Sequence, residues 1–261
     1  MILAFDIGNT TTTIGVLEGC RVILAWRIVT RERTSDEYKH CIISVLNEAN
    51  ADIGAISLVG ASCVVPSESA EVSRAARELF GKEAVMISAN IDCGVRIVTK
   101  NPSEVGADRI ANAVGAFYIY GGPTIVIDMG TATTFDLISQ DGNYRGGVIA
   151  PGIVAGARDL WERARMLPVV EIKKPRTVIG ETTIECMQSG IFYGCVGQIE
   201  GIVRRMWDSL GKRCRVVMTG GHSSLVKDCL SFEVVHDPDL TLKGIAYAIE
   251  PKLRQRISRN L

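Results

Sequence analysis

Charge of one dominant sign is missing from this chain: 29 Lys and Arg balance 29 Asp and Glu, a formal net charge of zero. A neutral chain carries no electrostatic footprint for nucleic acid or for an anionic membrane, so a small molecule is the expected partner. No apolar stretch approaches the roughly 18 uncharged residues of a membrane span, although 47% of the residues are hydrophobic. The eight cysteines include no Cys-x-x-Cys pair, and His40, His222 and His236 lie far apart. Neither set has metal-ligand spacing, and the thiols read as reduced and mostly buried in a cytosolic, cytoplasmic protein. The start, Met1 and an apolar run to Phe5, has no signal- or transit-peptide character. The chain has no Gly-x4-Gly-Lys-Ser/Thr loop, no Gly-x-Gly-x-x-Gly turn and no His-Arg-Asp loop, which excludes P-loop and protein-kinase machinery.

What is present is one loop made twice. Asp6-Ile7-Gly8-Asn9-Thr10-Thr11-Thr12-Thr13 is echoed by Asp128-Met129-Gly130-Thr131-Ala132-Thr133-Thr134. Aligning Asp6 with Asp128 superposes Gly8 on Gly130, Thr11 on Thr133 and Thr12 on Thr134. Each copy follows a short apolar run and precedes a stretch rich in Thr, Ile and Val, the pattern of strand, tight turn, strand. Gly at the bend lets a ligand approach the backbone, and a row of amides and hydroxyls suits phosphate oxygens. An Asp at the strand end can hold a cation. Two such hairpins would grip a nucleotide triphosphate from both sides.

The surrounding pattern is α/β. Strands are expected at Arg21 to Arg27, Ala55 to Ala61, Ala84 to Ile87, Arg215 to Met218 and Phe232 to Val235. Helices are expected at Ser35 to Asn47, Ser67 to Phe80, Ala107 to Tyr118, Ala155 to Arg165, Glu185 to Leu210 and Leu242 to Arg254. The repeat divides the chain into two lobes, 1–120 and 121–261, with the boundary around Gly121-Gly122-Pro123. Gly190, Gly194, Gly197 and Gly201 fall on one face of the longest helix. Because Gly weakens a helix, such a stripe implies a packing need, either against another helix of the same chain or at a subunit interface.

A second informative segment runs from Asn101-Pro102 to Gly106-Ala107-Asp108-Arg109, at a loop-to-helix junction. Taken alone, Asp108 is an ordinary first-turn acid and Arg109 its solvated neighbour. Beside phosphate loops, the pair suits phosphoryl transfer: a carboxylate to accept the proton of an attacking hydroxyl and a guanidinium to steady anionic charge.

Together with Gly146-Gly147-Val148-Ile149-Ala150-Pro151-Gly152, the segment from Thr183 to Gly190 and Thr219-Gly220-Gly221, these motifs resemble the type III pantothenate kinases over nearly the whole chain. The resemblance implies duplicated ribonuclease H-like, actin-like ATPase lobes, each a central mixed sheet flanked by helices. It implies phosphorylation of the terminal hydroxyl of pantothenate by ATP, the first step toward coenzyme A, by a homodimer without nucleic-acid or membrane partners. By the same resemblance, Asp6, Ile7, Gly8, Asn9, Thr10, Thr11, Thr12 and Thr13 form the first ATP loop. Asp6 stands near Mg2+, directly or through water. Asp108 is the proton acceptor, and Thr99, Gly106, Ala107, Asp108, Arg109 and Thr183 line the pantothenate site. Asp128 holds K+ or NH4+, while Thr131, Gly220 and Gly221 contact ATP. The chain departs from the family pattern at Thr99, where Tyr is expected, and at Thr182, where Asn is expected. Two rival readings stay open at this point: a kinase for another small hydroxylated metabolite, and a regulatory protein that binds nucleotide without turnover.

Overall fold

The computed structural model describes residues 1–163 and 167–257. The strands are β1 (Ile2–Ile7), β2 (Thr11–Glu18), β3 (Arg21–Val29), β4 (Leu58–Cys63), β5 (Val85–Met86), β6 (Arg96–Ile97), β7 (Thr124–Met129), β8 (Ala132–Ile138), β9 (Asn143–Pro151), β10 (Arg215–Thr219) and β11 (Val235–His236). The helices are α1 (Ser35–Glu48), α2 (Pro66–Phe80), α3 (Ala107–Tyr120), α4 (Ile153–Arg163), α5 (Thr183–Leu210), α6 (Ser223–Val226), α7 (Leu240–Ile249) and α8 (Pro251–Ile257). They sort into two compact units: one holds Met1–Gly121, Ser139–Arg145 and the chain from Asp239 onward, the other Gly122–Ile138 and Gly146–Pro238.

In the first unit β1, β2 and β3 form an antiparallel meander, and β4 and β5 add parallel strands on the other side of β1, in the order β3-β2-β1-β4-β5. Strand alternation places Leu3, Phe5, Ile7, Ile14, Val16 and Val59 on one face, packed with Tyr38 and Ile42 of α1 and Val72 of α2. The opposite face carries Gly15 and Gly60, where a Cβ would press into Leu242, Ile245 and Ile249 of α7. Helix α7 also crosses α3 with almost no space between the backbones. A Cβ on Gly244 would collide with the Ala111 carbonyl, and one on Gly115 would lie 2.8 Å from the Leu240 carbonyl oxygen. The buried Thr241 hydroxyl donates to Asn112 Oδ1 at 2.8 Å across the same crossing.

The second unit repeats the plan. β7 pairs antiparallel with β8 and parallel with β10, and β11 continues beyond β10, as β1 pairs with β2 and β4. Ile125, Ile127, Phe135 and Met218 meet Ile153 and Ala157 of α4 and Phe192 and Ile199 of α5. β9 begins in the first unit, where Asn143 and Tyr144 pair with β6, and runs on into the second.

Several elements differ from the sequence expectation. The strand expected from Ala55 begins at Leu58, after a single 3-10 turn at Ile53–Ala55. The one expected at Phe232 to Val235 is only Val235–His236. The helix expected to run unbroken from Leu242 to Arg254 is interrupted at Glu250 because Pro251 lacks the N–H that would continue α7. The short β6 was not anticipated. Arg165, the expected end of α4, lies outside the described residues. Among the described residues no helix is long and apolar enough to cross a membrane, and all eight cysteines are free thiols.

Candidate active site

Both Asp-x-Gly loops close hairpins, with their Asp at matching ladder positions: Asp6 faces Thr13 across β1 and β2, and Asp128 faces Thr134 across β7 and β8. The register corrects the sequence alignment. Thr12 corresponds to Thr133 and Thr13 to Thr134, because the first loop has one residue more. Gly8 N–H reaches Thr11 O at 3.0 Å in the longer loop, and Gly130 N–H reaches Ala132 O at 3.0 Å in the shorter. Asn9, Thr10, Thr11 and Thr131 are exposed at the loop tips, and Asp6, Gly8, Thr13 and Asp128 are half-buried. Ile7 and Thr12 point inward, and the Thr12 hydroxyl pairs with that of Thr30 at 2.9 Å.

In the first unit α3 starts at Ala107 with Gly106 as its N-cap. Asp108 folds back over this start: its Oδ1 accepts the Arg109 N–H at 2.8 Å, using one of the helix's unpaired donors. A Cβ on Gly106 would stand 2.5 Å from that same oxygen, so any larger residue there would displace the carboxylate from this position. Arg109 lies with its Cζ 5.7 Å from the centre of the Tyr144 ring, a cation–π geometry. The Tyr144 carbonyl accepts the Val98 N–H at 3.0 Å, which brings the chain preceding Thr99 to the same strand. Thr99 Oγ1 is buried without a hydrogen-bond partner among the described residues. Nothing in the local sequence linked Tyr144 to this region.

In the second unit Gly220, at φ +91°, ends the β10 turn against the loop of Asp128. A Cβ on Gly220 would run into Met129 N and lie 2.5 Å from Asp128 Oδ1. Gly152 closes the other side: a Cβ there would collide with the Thr131 carbonyl and stand 2.8 Å from Gly130 O. Thr183 is exposed at the first turn of α5. The preceding Thr182 is the N-cap, its Oγ1 accepting the Glu185 N–H at 3.2 Å while the Glu185 carboxylate accepts the Thr182 N–H at 3.2 Å. Thr serves here as Asn would, since both side chains can accept that bond. Among the described residues a Cβ on Gly190, Gly194 or Gly197 of the α5 stripe meets nothing within 4 Å, and one on Gly201 meets only Arg205 Nη1, at 3.3 Å.

Among the described residues no three His, Cys, Asp or Glu side chains converge as a metal site. A single carboxylate at a strand end fits a cation whose remaining ligands are phosphate oxygens, backbone carbonyls and water, the usual manner of Mg2+ on a nucleotide.

The family model of type III pantothenate kinase matches residues 2–205. The chain belongs to the type III pantothenate kinase family. The type III pantothenate kinase of Agathobacter rectalis is 42% identical to it over 247 residues, 94% of this chain and 95% of its own. In fold, this pantothenate kinase is similar to the activator of the 2-hydroxyisocaproyl-CoA dehydratase from Clostridium difficile with bound ADPNP, at a TM-score of 0.54 and 12% identity over 100% of this chain and 97% of that one. It is also similar to a ROK hexokinase from Thermus thermophilus, at a TM-score of 0.50 and 13% identity over 97% and 99% of the two chains. The fold is therefore the duplicated, hexokinase-like and actin-like α/β fold. As a pantothenate kinase the chain takes ATP as co-substrate, and a divalent metal accompanies ATP in such kinases.

Proposed function

We propose that this chain transfers the γ-phosphoryl group of ATP to the terminal hydroxyl of pantothenate, with Asp108 as proton acceptor and Arg109 on the pantothenate carboxylate. The observation that carries the site assignment is the placement of Asp108: its carboxylate is held at the start of α3 by the Arg109 N–H, close over Gly106, while the Arg109 guanidinium lies over the Tyr144 ring. In the step, the hydroxyl oxygen bonds to the γ-phosphorus as the bond to the bridging oxygen of ADP breaks. The hydroxyl proton passes to an Asp108 oxygen. A loose transition state releases that proton late, so placing the carboxylate counts for more than its basicity. The amides and hydroxyls of residues 6–13, with Thr131, Gly220 and Gly221, bind and orient the triphosphate and adenosine. Thr99, Gly106, Ala107 and Thr183 line pantothenate. Mg2+ near Asp6 and K+ or NH4+ at Asp128 would offset phosphate charge when bound.

We also propose a cytoplasmic location, no nucleic-acid or membrane partner, and a homodimer formed through the Gly stripe of α5. The exposure of Gly190, Gly194 and Gly197 supports that last reading.

The test is ATP-dependent phosphorylation of pantothenate with Mg2+, with K+ present or replaced by Na+, beside Asp108→Asn. The variant is expected to lose roughly two to four orders of magnitude in kcat, the weight of a general base, while still binding nucleotide. Unchanged turnover in the variant removes the role from Asp108. A K+-independent rate removes the cation from Asp128.

A further inference from the structure

The nucleotide side of the second unit contains a hydrogen-bonded chain that no assigned role uses. Ser223, 1% exposed, places its Oγ 2.6 Å from the Gly220 carbonyl oxygen and 2.9 Å from His236 Nε2. A serine hydroxyl has one proton, and a carbonyl oxygen can only accept. The Ser223 proton therefore points to Gly220, and the Ser223 lone pair faces His236. Nε2 must then carry a hydrogen, since two lone pairs would otherwise meet at 2.9 Å. The direction of donation runs from His236 to Ser223 to the Gly220 carbonyl.

The consequence falls on the turn of residues 220–222. The Gly220 carbonyl accepts a second bond from Ser223 N–H at 3.1 Å, and His222 N–H donates to Met129 O at 3.2 Å. The turn is thus stitched to the strand that carries Asp128. Gly220 itself has no room for a methyl group between that strand and the Asp128 carboxylate. Its left-handed backbone, at φ +91°, is a conformation that a flexible Gly leaves readily unless its carbonyl is pinned. His236 is well placed to do the pinning, because β11 pairs with β10 at Met218, just before the turn.

We propose that His236 is a positioning residue for ATP: through Ser223 it fixes the Gly220 carbonyl, and with it the backbone wall beside Asp128 and Met129. The inference rests on the reading that Gly220, Gly221 and Thr131 serve ATP. It assigns His236 no contact with substrate and no proton transfer to it.

Four variants test it, each read by steady-state kinetics with ATP and pantothenate varied separately and by thermal melting. Ser223→Ala and His236→Leu remove the two donors and are expected to raise the KM for ATP about five- to tenfold, the usual weight of one such bond. The KM for pantothenate is expected to stay within about twofold. His236→Gln places an amide N–H where Nε2 stood, and is expected to return the KM for ATP to within about twofold of the parent. Thr131→Ala, at an exposed loop position, is the control for the underlying reading. A lower melting temperature for both His236 variants with no change in the KM for ATP would make His236 merely structural and overturn the inference. Equal increases in KM for Leu and Gln would overturn it too, because the donor would then be irrelevant. A raised KM for ATP in Thr131→Ala, with none in Ser223→Ala and His236→Leu, removes the inference and leaves the site reading standing. No change in any variant removes both.

Discussion

Asp108, Arg109 and Tyr144 show how single contacts arrange the helix start proposed as the substrate site. Arg109 gains direction from the face of Tyr144, which is buried and pinned on β9. Tyr144→Leu keeps an apolar side chain but removes the ring, and an exposed-to-intermediate cation–π contact is worth roughly 1 kcal/mol. The KM for pantothenate is expected to rise about fivefold, with the KM for ATP unchanged and Tyr144→Phe close to the parent. Equal effects of Leu and Phe would transfer the role from the ring to the phenol. At this scale legibility follows sequence distance. Asp6, Gly8, Asp128 and Gly130 were readable because a hairpin loop is local, and Gly106 to Arg109 because they are contiguous. Tyr144 was not, since it meets Arg109 only after β7 and β8 have folded between them in the chain. Nor was the one-residue difference between the loops, because runs of Thr align equally well in two registers.

Among the elements, α5 begins with a reciprocal cap whose strength depends on pH. Backbone donors of Glu181 and then Thr182 hold the Glu185 carboxyl below its ordinary value of 4.5. A depressed carboxyl contributes stability above its unfolded value and loses it as pH falls through the folded one. Melting followed from pH 6 to pH 3 is expected to show the parent losing stability below about pH 4.5, and Glu185→Gln losing less over the same interval. Parallel curves would mean that the cap does not contribute. The crossing of α3 and α7 is set by absence of side chains. Gly244→Ala drives a methyl group into the Ala111 carbonyl and is expected to lower stability by roughly 1–3 kcal/mol in urea unfolding. A neutral result would show that the helices can separate. Periodicity revealed both helices, but the glycines it made conspicuous were those of α5. Gly115 and Gly244 are single residues on separate helices, and only the crossing gives them meaning.

For the whole molecule, the exposed α5 stripe makes subunit number the informative quantity. Light scattering at micromolar concentration is expected to give twice the chain mass, and Gly197→Lys to give the chain mass by placing a charge on the stripe. A monodisperse parent monomer ends the homodimer reading. The two-unit plan was legible because the same loop occurs twice. The exchange of segments between units was not, because a repeat records which halves resemble each other and says nothing of where a later helix docks.

That exchange has a consequence during synthesis. The sheet of the first unit presents Gly15 and Gly60 on a face where α7 packs Leu242, Ile245 and Ile249. Those residues leave the ribosome after the entire second unit. The nascent first unit must therefore wait without its α7 cover over Gly15 and Gly60 while the second is made, a window in which a chaperone that shields apolar strands has a natural client.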